Sequence, residues 1–508
     1  MHFIWKVLLT VAFCWVLTNY IIRPYLRLIY YRKKGAFTYF FPLLGIFPKM
    51  FGEGYKLGDF GYFSKQLIKQ KPNLKILATN FGSKISLAVY DPALAKEVLQ
   101  NQHRYIKGPF FRVLGLLWGR SLLMTQGEHW KSGRRIISKV FHFDHLKKLI
   151  PSIQRMSNDT IAELKAQPVG KEVDILEVLR NLIGGLFAEF FFGANVKNDR
   201  IEGKTVQNYF AGMITGFALA SITPLAMVFG SAPVKLGLNS SYRTIKKQAS
   251  VFKEYAAYII QQRRETLKNK SKQQDHDQKD LLDIMLEYEE ADGNFSADEL
   301  IDNFIAFFSG GTDTSSHQLH MTLYFLDQHP EYKKKLRDEV KSVIKDPTQG
   351  ITLDQVNQLE FTTAILKESL RVVPPFPNLM QREVTTDHYI GEFFVPKGSL
   401  LSIDILAFNY HPRRFENPEK FNPYRWTKGH PDFNEEVSKD PFLWLPFSTG
   451  PRNCIGQPLA MLEMKIILAL LVSQFDWKVK EGYKLRLEMR STYGPPQAIP
   501  LILTPLEK

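Results

Sequence analysis

Cysteine is nearly absent from this chain of 508 residues, which holds two, Cys14 and Cys454. Cys14 lies inside an apolar N-terminal stretch, so the two have no reason to meet. A disulfide framework is excluded, and Cys454 is a lone thiol. Internal repeats are missing as well. No finger, helix-turn-helix or other nucleic-acid signature occurs, and the basic residues are scattered instead of forming one stripe. The net charge of +15 therefore does not mark a nucleic-acid binder. Attraction to an anionic membrane surface or an acidic protein partner accounts for it equally well. No flavin or dinucleotide fingerprint is fused to the chain, so a redox role would draw electrons from outside. Markedly polar sequence is confined to Arg263 through Asp280, which reads as a solvated loop or frayed helix end. The length would hold two or three average domains, yet nothing clearly cuts it.

Apolar sequence is plentiful at the start. Phe3 to Ile22 is apolar except for Lys6, Thr10, Thr18 and Asn19, about enough to cross a hydrocarbon core of roughly 30 Å. Arg23, Arg27, Arg32, Lys33 and Lys34 follow at once, against Lys6 and the amino terminus on the other side. That asymmetry puts everything downstream in the cytoplasm. No small-residue cleavage site follows, so a retained anchor is expected in place of a cleaved signal peptide. The segment Tyr39 to Pro48, with Pro42, Gly45 and Pro48, is expected to form a stiff, extended hinge.

The most informative run is Phe447-Ser448-Thr449-Gly450-Pro451-Arg452-Asn453-Cys454-Ile455-Gly456. Gly450 permits a tight turn, and Arg452 can pair with an anionic group beside the thiol. Gly456 removes a side chain where the backbone must approach something flat and large. Good helix formers from Leu459 to Leu471 put Cys454 at a helix start, where exposed N–H groups and the positive dipole end favour thiolate over thiol. A buried structural cysteine is the alternative. The run resembles the haem-binding loop of the cytochrome P450 family, which implies that Cys454 is the proximal ligand of haem iron, with Phe447, Arg452 and Gly456 as further haem-binding residues.

Other runs fit the same resemblance. Asn303 to Leu326 is long and apolar with Gly310-Gly311 in its middle. Helical glycines cost about 1 kcal/mol each relative to alanine, which a widened turn admitting a small molecule would offset. Alternatively the pair ends one helix and Thr312 or Asp313 caps the next. Gly310 to Ser315 resembles the family's oxygen-binding motif, implying that Asp313 and Thr314 supply protons. Glu368 and Arg371, three apart on one helix face, resemble with Arg425 the family's buried Glu-Arg-Arg triad. Tyr424 stands where the family often has an acid, and Trp426 is the expected aromatic. Trp130 and Arg134, spaced i, i+4, resemble the propionate-binding helix, and Arg382 and Arg452 are the further propionate candidates. Ile76 to Pro92 reads as a hairpin feeding a helix.

Tyr209 to Val234 contains no charged residue and is long enough to span a bilayer. A span there would put the segment before it and Cys454 on opposite sides of the membrane. The glycines, Thr223 and Pro224 suggest two helices and a break, which the resemblance implies to be a lid dipping into the lipid surface; a plain pair of core helices is the other reading. Phe110, Phe111, Leu114, Leu116, Leu117, Phe210 to Phe229, Phe304, Phe307 and Phe376 to Leu379 are expected to line an apolar cavity.

The expected fold class is mainly α with small β-sheets, the cytochrome P450 fold behind a single N-terminal transmembrane helix. The expected divisions are an anchor over 1–22, a basic and proline-containing linker over 23–48, and a catalytic domain over 49–508. The resemblance implies a haem-thiolate monooxygenase with haem b on Cys454, inserting one atom of O2 into a lipophilic substrate. It also implies electrons from NADPH–cytochrome P450 reductase, with cytochrome b5 as a second donor, at the endoplasmic reticulum membrane with the catalytic domain facing the cytoplasm. An isomerase or dehydratase acting on a peroxide, and a non-catalytic haem or lipid carrier, stand as alternatives.

Overall fold

The computed structural model describes residues 2–269, 280–292, 295–347 and 349–506. The chain opens with helix α1 (Phe3–Lys33), whose Phe3, Trp5, Leu9 and Phe13 are largely exposed. Pro24 should end it, because a proline ring clashes with the carbonyl four residues back. Instead Thr18–Ile22 widens into a π turn, with the Arg23 N–H reaching the Thr18 carbonyl, and the helix continues. Such a bulge makes room for the ring. The last two turns then dock on the protein body: Leu28 and Tyr31 are buried, and the Tyr31 hydroxyl donates to the Phe394 carbonyl at 2.7 Å.

The expected extended hinge is not formed. Strand β1 (Phe37–Tyr39) pairs in parallel with β2 (Ile76–Phe81). Turns follow, in which the Leu44 and Gly45 N–H groups bond to the Pro42 and Phe41 carbonyls, and Phe47–Leu57 is helical. Gly45 has φ +56, and a Cβ there would collide with the Asn80 carbonyl. That glycine allows close docking on β2, so the prolines turn the chain instead of stiffening it.

The hairpin forms as expected from β2 and β3 (Lys84–Val89). With β4 (Tyr105–Lys107), β5 (Asn378–Val384) and β6 (Leu400–Asp404) they make a six-stranded sheet in the order β1-β2-β3-β6-β5-β4. The helices that build the rest are α2 (Phe110–Trp118), α3 (Gly127–Ile137), α4 (Ile175–Phe192), α5 (Val206–Ser221), α6 (Ser240–Asn269), α7 (Ala297–Gln328), α8 (Glu360–Val372) and α9 (Gln457–Gln474). Of the polar stretch, Arg263 to Lys268 belongs to α6; residues 270–279 lie outside the described residues. Arg263 pairs with Asp280 and Asp283, each at 2.6 Å.

Helix α7 runs through the centre. Ser296 and Glu299 form a capping box at its start, and the glycine pair does not break it. An added Cβ at Gly311 would strike the Phe187 ring of α4, so glycine there permits the close α4–α7 crossing. Between Glu299 and Asp327 the one exposed residue of α7 is Gly310, where an added Cβ would meet nothing within 4 Å. The central helix thus opens onto a cleft at its midpoint.

The uncharged stretch after Tyr209 is two helices and a break, as expected. Thr223 caps the short helix Pro224–Phe229 through the Ala226 N–H. Among the described residues the helices long and apolar enough to cross a membrane are α1 and α9, and 61% of the latter is buried inside the body.

Candidate functional site

Cys454 sits three residues before α9. Its backbone N–H donates to the Phe447 carbonyl at 2.8 Å, and the Asn453 N–H donates to the Gly450 carbonyl at 3.0 Å, so the loop folds back on itself. Gly450 has φ +79, and a Cβ would lie 2.9 Å from the Leu99 carbonyl, which makes glycine necessary there. The cysteine is accessible from the cleft, but protein encloses its sulfur on most sides. Burial pushes the thiol up from its ordinary value, while the Gly456 N–H, the Arg134 guanidinium and the Gln457 N–H pull the other way. The expected preference for thiolate from the helix start is therefore outweighed by desolvation, and a cation at the sulfur is needed to reverse it.

Four cations gather beside this loop. Arg134 of α3 donates to the side-chain oxygen of Asn453 at 2.9 Å and to its carbonyl at 3.2 Å. The Arg452 guanidinium stacks 3.7 Å from the centre of the buried Trp130 ring and donates to the Thr125 carbonyl at 3.0 Å. Arg382 of β5 lies opposite Lys107 of β4. Burial first, then repulsion from Arg382 and Arg452, lowers Lys107 to about 7; burial, Arg382 and Arg134 bring Arg452 down to about 9. Arg382 and Arg134 are lowered as well, chiefly by burial. A half-buried cluster of cations, two of them depressed by their neighbours, fits an anionic group with two carboxylates. Lys107 was not among the sequence expectations; its place follows from strand register alone.

On α7, Thr314 lies one turn beyond the exposed Gly310 and donates to its carbonyl at 2.8 Å. Asp313 is turned away and buried. Arg180 of α4 donates to one of its oxygens at 3.2 and 3.3 Å, and the Ser491 hydroxyl to the other at 2.6 Å. Sequence reasoning missed Arg180 and Ser491. It also missed Glu463 of α9, fully buried, whose carboxyl burial raises to about 8 while a hydrogen bond with Ser315 of α7 pulls it back. This neutral acid ties the cysteine-bearing helix to the glycine-bearing one.

Glu368, Arg371 and Arg425 meet. Arg371 grips Glu368 in a bidentate pair at 2.8 and 2.9 Å, and Arg425 approaches the same carboxylate at 3.4 Å. The Trp426 indole and the Asn422 N–H complete it, each at 2.9 Å. A carboxylate so fully bonded tolerates complete burial. Trp426 packs tilted against Trp444, which meets Phe447 edge to face, so a chain of ring contacts runs from the triad to the cysteine loop.

The expected apolar wall is only partly assembled. Phe111, Leu114 and Leu117 are buried, and Phe110, Leu116, Phe307, Phe376 and Leu379 half-buried. Phe210 and Phe304 instead pack into the interhelical core, against Phe252 and Phe308 and against Phe192 and Phe308. Their helical positions turn them toward α4 and α6.

A thiol at a helix start, a cluster of cations without matching acids among the described residues and an opening at Gly310 fit a flat, dianionic, sulfur-ligated group such as haem. Comparison with known proteins agrees. A sequence model of the family described as Cytochrome P450 matches residues 50–499. Relatives include Cytochrome P450 4d8 of Drosophila melanogaster, 28% identical over 76% of this chain and 84% of that protein. Cytochrome P450 4F8 of Homo sapiens is 31% identical over 72% and 70%, and Cytochrome P450 4A6 of Oryctolagus cuniculus 28% over 82% and 81%.

Proposed function

The chain belongs to the cytochrome P450 family of haem monooxygenases, and from that premise we propose that Cys454 ligates haem b for oxidation of a lipophilic substrate. The observation that carries the reading is the lone thiol of the Phe447–Gly456 loop beside four half-buried cations. Haem bound there supplies oxygen activation and transfer of one atom to a C–H bond. Lys107, Arg134, Arg382 and Arg452, with the Trp130 indole, would hold its two propionates. Thr314, whose hydroxyl rests on the Gly310 carbonyl beside the opening, would pass a proton into it and regain one from solvent; Asp313, held by Arg180 and Ser491, would be the acid that feeds this exchange. Glu368, Arg371 and Arg425 hold the loop. Phe111, Leu114 and Leu117 favour an apolar substrate.

Electrons come from NADPH–cytochrome P450 reductase, with cytochrome b5 as an accessory donor. Lys131, Arg135 and Lys139 stand exposed at α3, whose other face carries Trp130 and Arg134, and suit an acidic flavoprotein. Residues 1–22 form a single-pass anchor in the endoplasmic reticulum membrane, and the basic residues from Arg23 keep the catalytic domain cytoplasmic. The exposed Leu219, Leu225, Phe229, Leu236 and Leu238 suit contact of the lid with lipid.

The test is spectroscopic. Reduced protein with carbon monoxide should give the far-shifted band of a thiolate ligand, and Cys454→Ser should abolish it; an unchanged band in the variant overturns the assignment. Substrate-dependent NADPH consumption with reductase present separates the monooxygenase from an isomerase or a carrier.

A further inference from the structure

A second basic site lies where α1 meets the sheet. A cavity of about 250 Å³ is lined by Asn19, Arg23, Arg27, Lys84, Lys397 and Ser399, among others. Asn19, Arg23 and Arg27 recur every four residues and so form one stripe of α1. Lys84 begins β3, and Lys397 and Ser399 precede β6. Arg23 and Arg27 line it from the helix, the former donating to the Asn19 side-chain oxygen at 2.8 Å, and Lys84 and Lys397 line it from the sheet. One of the four is balanced: Glu383 is bound to Lys84 at 2.5 Å and lies 3.6 Å from Arg112, while Asp387 accepts the backbone N–H of Lys397. Among the described residues the Arg27 guanidinium and the Lys397 ammonium form no ion pair.

Height matters as much as charge. The apolar run ends at this level, and Trp15 and Tyr20 stack edge to face with centroids 6.0 Å apart, an aromatic pair of the kind that settles among lipid headgroups. The cavity therefore lies where the phosphates of the cytoplasmic leaflet run. It is bounded by hydroxyls and an amide as well as cations, which suits phosphate oxygens more than a bare chloride.

We propose that this cavity binds the phosphate of an anionic membrane lipid and so fixes the catalytic body against the bilayer. The inference rests on the reading of α1 as an anchor, but on neither haem nor turnover. The full chain in neutral detergent micelles, titrated with dioleoyl phosphatidic acid and followed by native mass spectrometry, should take up one lipid. The Arg27→Gln/Lys397→Gln variant should bind it about thirtyfold more weakly, since each cation near an anionic surface contributes a factor of about five. Lys428→Gln/Lys484→Gln, which removes two exposed charges elsewhere, should bind as the wild type does. Far-ultraviolet circular dichroism checks that each variant is folded. Equal weakening in both variants, or equal uptake of dioleoyl phosphatidylcholine, would mean diffuse adsorption and overturns the site. Displacement of the lipid by millimolar inorganic phosphate would reassign the cavity to a soluble phosphate and overturns the lipid occupant. Loss of monooxygenase activity with lipid uptake intact would count against the haem reading alone.

Discussion

Two ionisable residues on either side of the first turns of α9 differ in what burial does for them. Cys454 is held as a thiol by desolvation until a cation takes the proton's place. Glu463 has no such cation, and its carboxyl titrates near 8 in the fold against an ordinary value of 4.5. A raised carboxyl favours the neutral form, so the fold is at full strength below the unfolded value. Stability then falls as pH climbs from about 4.5 to about 8. Glu463→Gln keeps the neutral shape. It should melt with the wild type at pH 4 and be the more stable by about 4 kcal/mol at pH 8, as read from melts followed by circular dichroism. Such residues mark the reach of sequence reading. Cys454, Trp130, Arg134 and Arg452 announce themselves through their neighbours, a few positions away. Lys107 joins the cation cluster only because β4 pairs with β5 opposite Arg382, and Arg180 and Glu463 find their partners across helix crossings. Nothing local encodes those meetings.

At the scale of the element, α7 shows two adjacent glycines with opposite duties. Gly311 is required for contact with α4, whereas at Gly310 an added Cβ would find nothing within 4 Å. Gly311→Ala should destabilise by about 1–3 kcal/mol through overpacking against Phe187. Gly310→Ala should raise stability by up to about 1 kcal/mol through helix propensity, while its methyl narrows the cleft and lowers turnover. Denaturant unfolding of the two variants should shift in opposite directions. The periodic apolar run of α7 and the hairpin of β2 and β3 were legible because each satisfies its own pattern locally. The path of the chain from Pro24 to Pro48 was not. Proline rules forecast an extended hinge, which a glycine-tight docking on Asn80 overrode, and the π turn that carries the helix past Pro24 has no local signal.

For the molecule as a whole, the join between anchor and body is a packed contact. Leu28 and Tyr31 belong to the apolar cluster formed by the sheet, each contributing about 2 kcal/mol by its burial. A chain started at residue 23 should therefore melt with the full protein, whereas one started at residue 34 should lose several degrees and expose the sheet's underside. Equal melting of the two truncations would show that the contact carries no stability.

Continuity of α1 has a mechanical corollary. With α1 as the anchor proposed above, a shaft running into the sheet without a swivel transmits rotation, so the compass bearing of the cleft at Gly310 is set by how many residues lie between the aromatic pair and Leu28. One added residue would crank the body through about 100° and raise it about 1.5 Å, pointing the mouth along the membrane plane in a new direction while leaving every atom of the haem pocket unmoved.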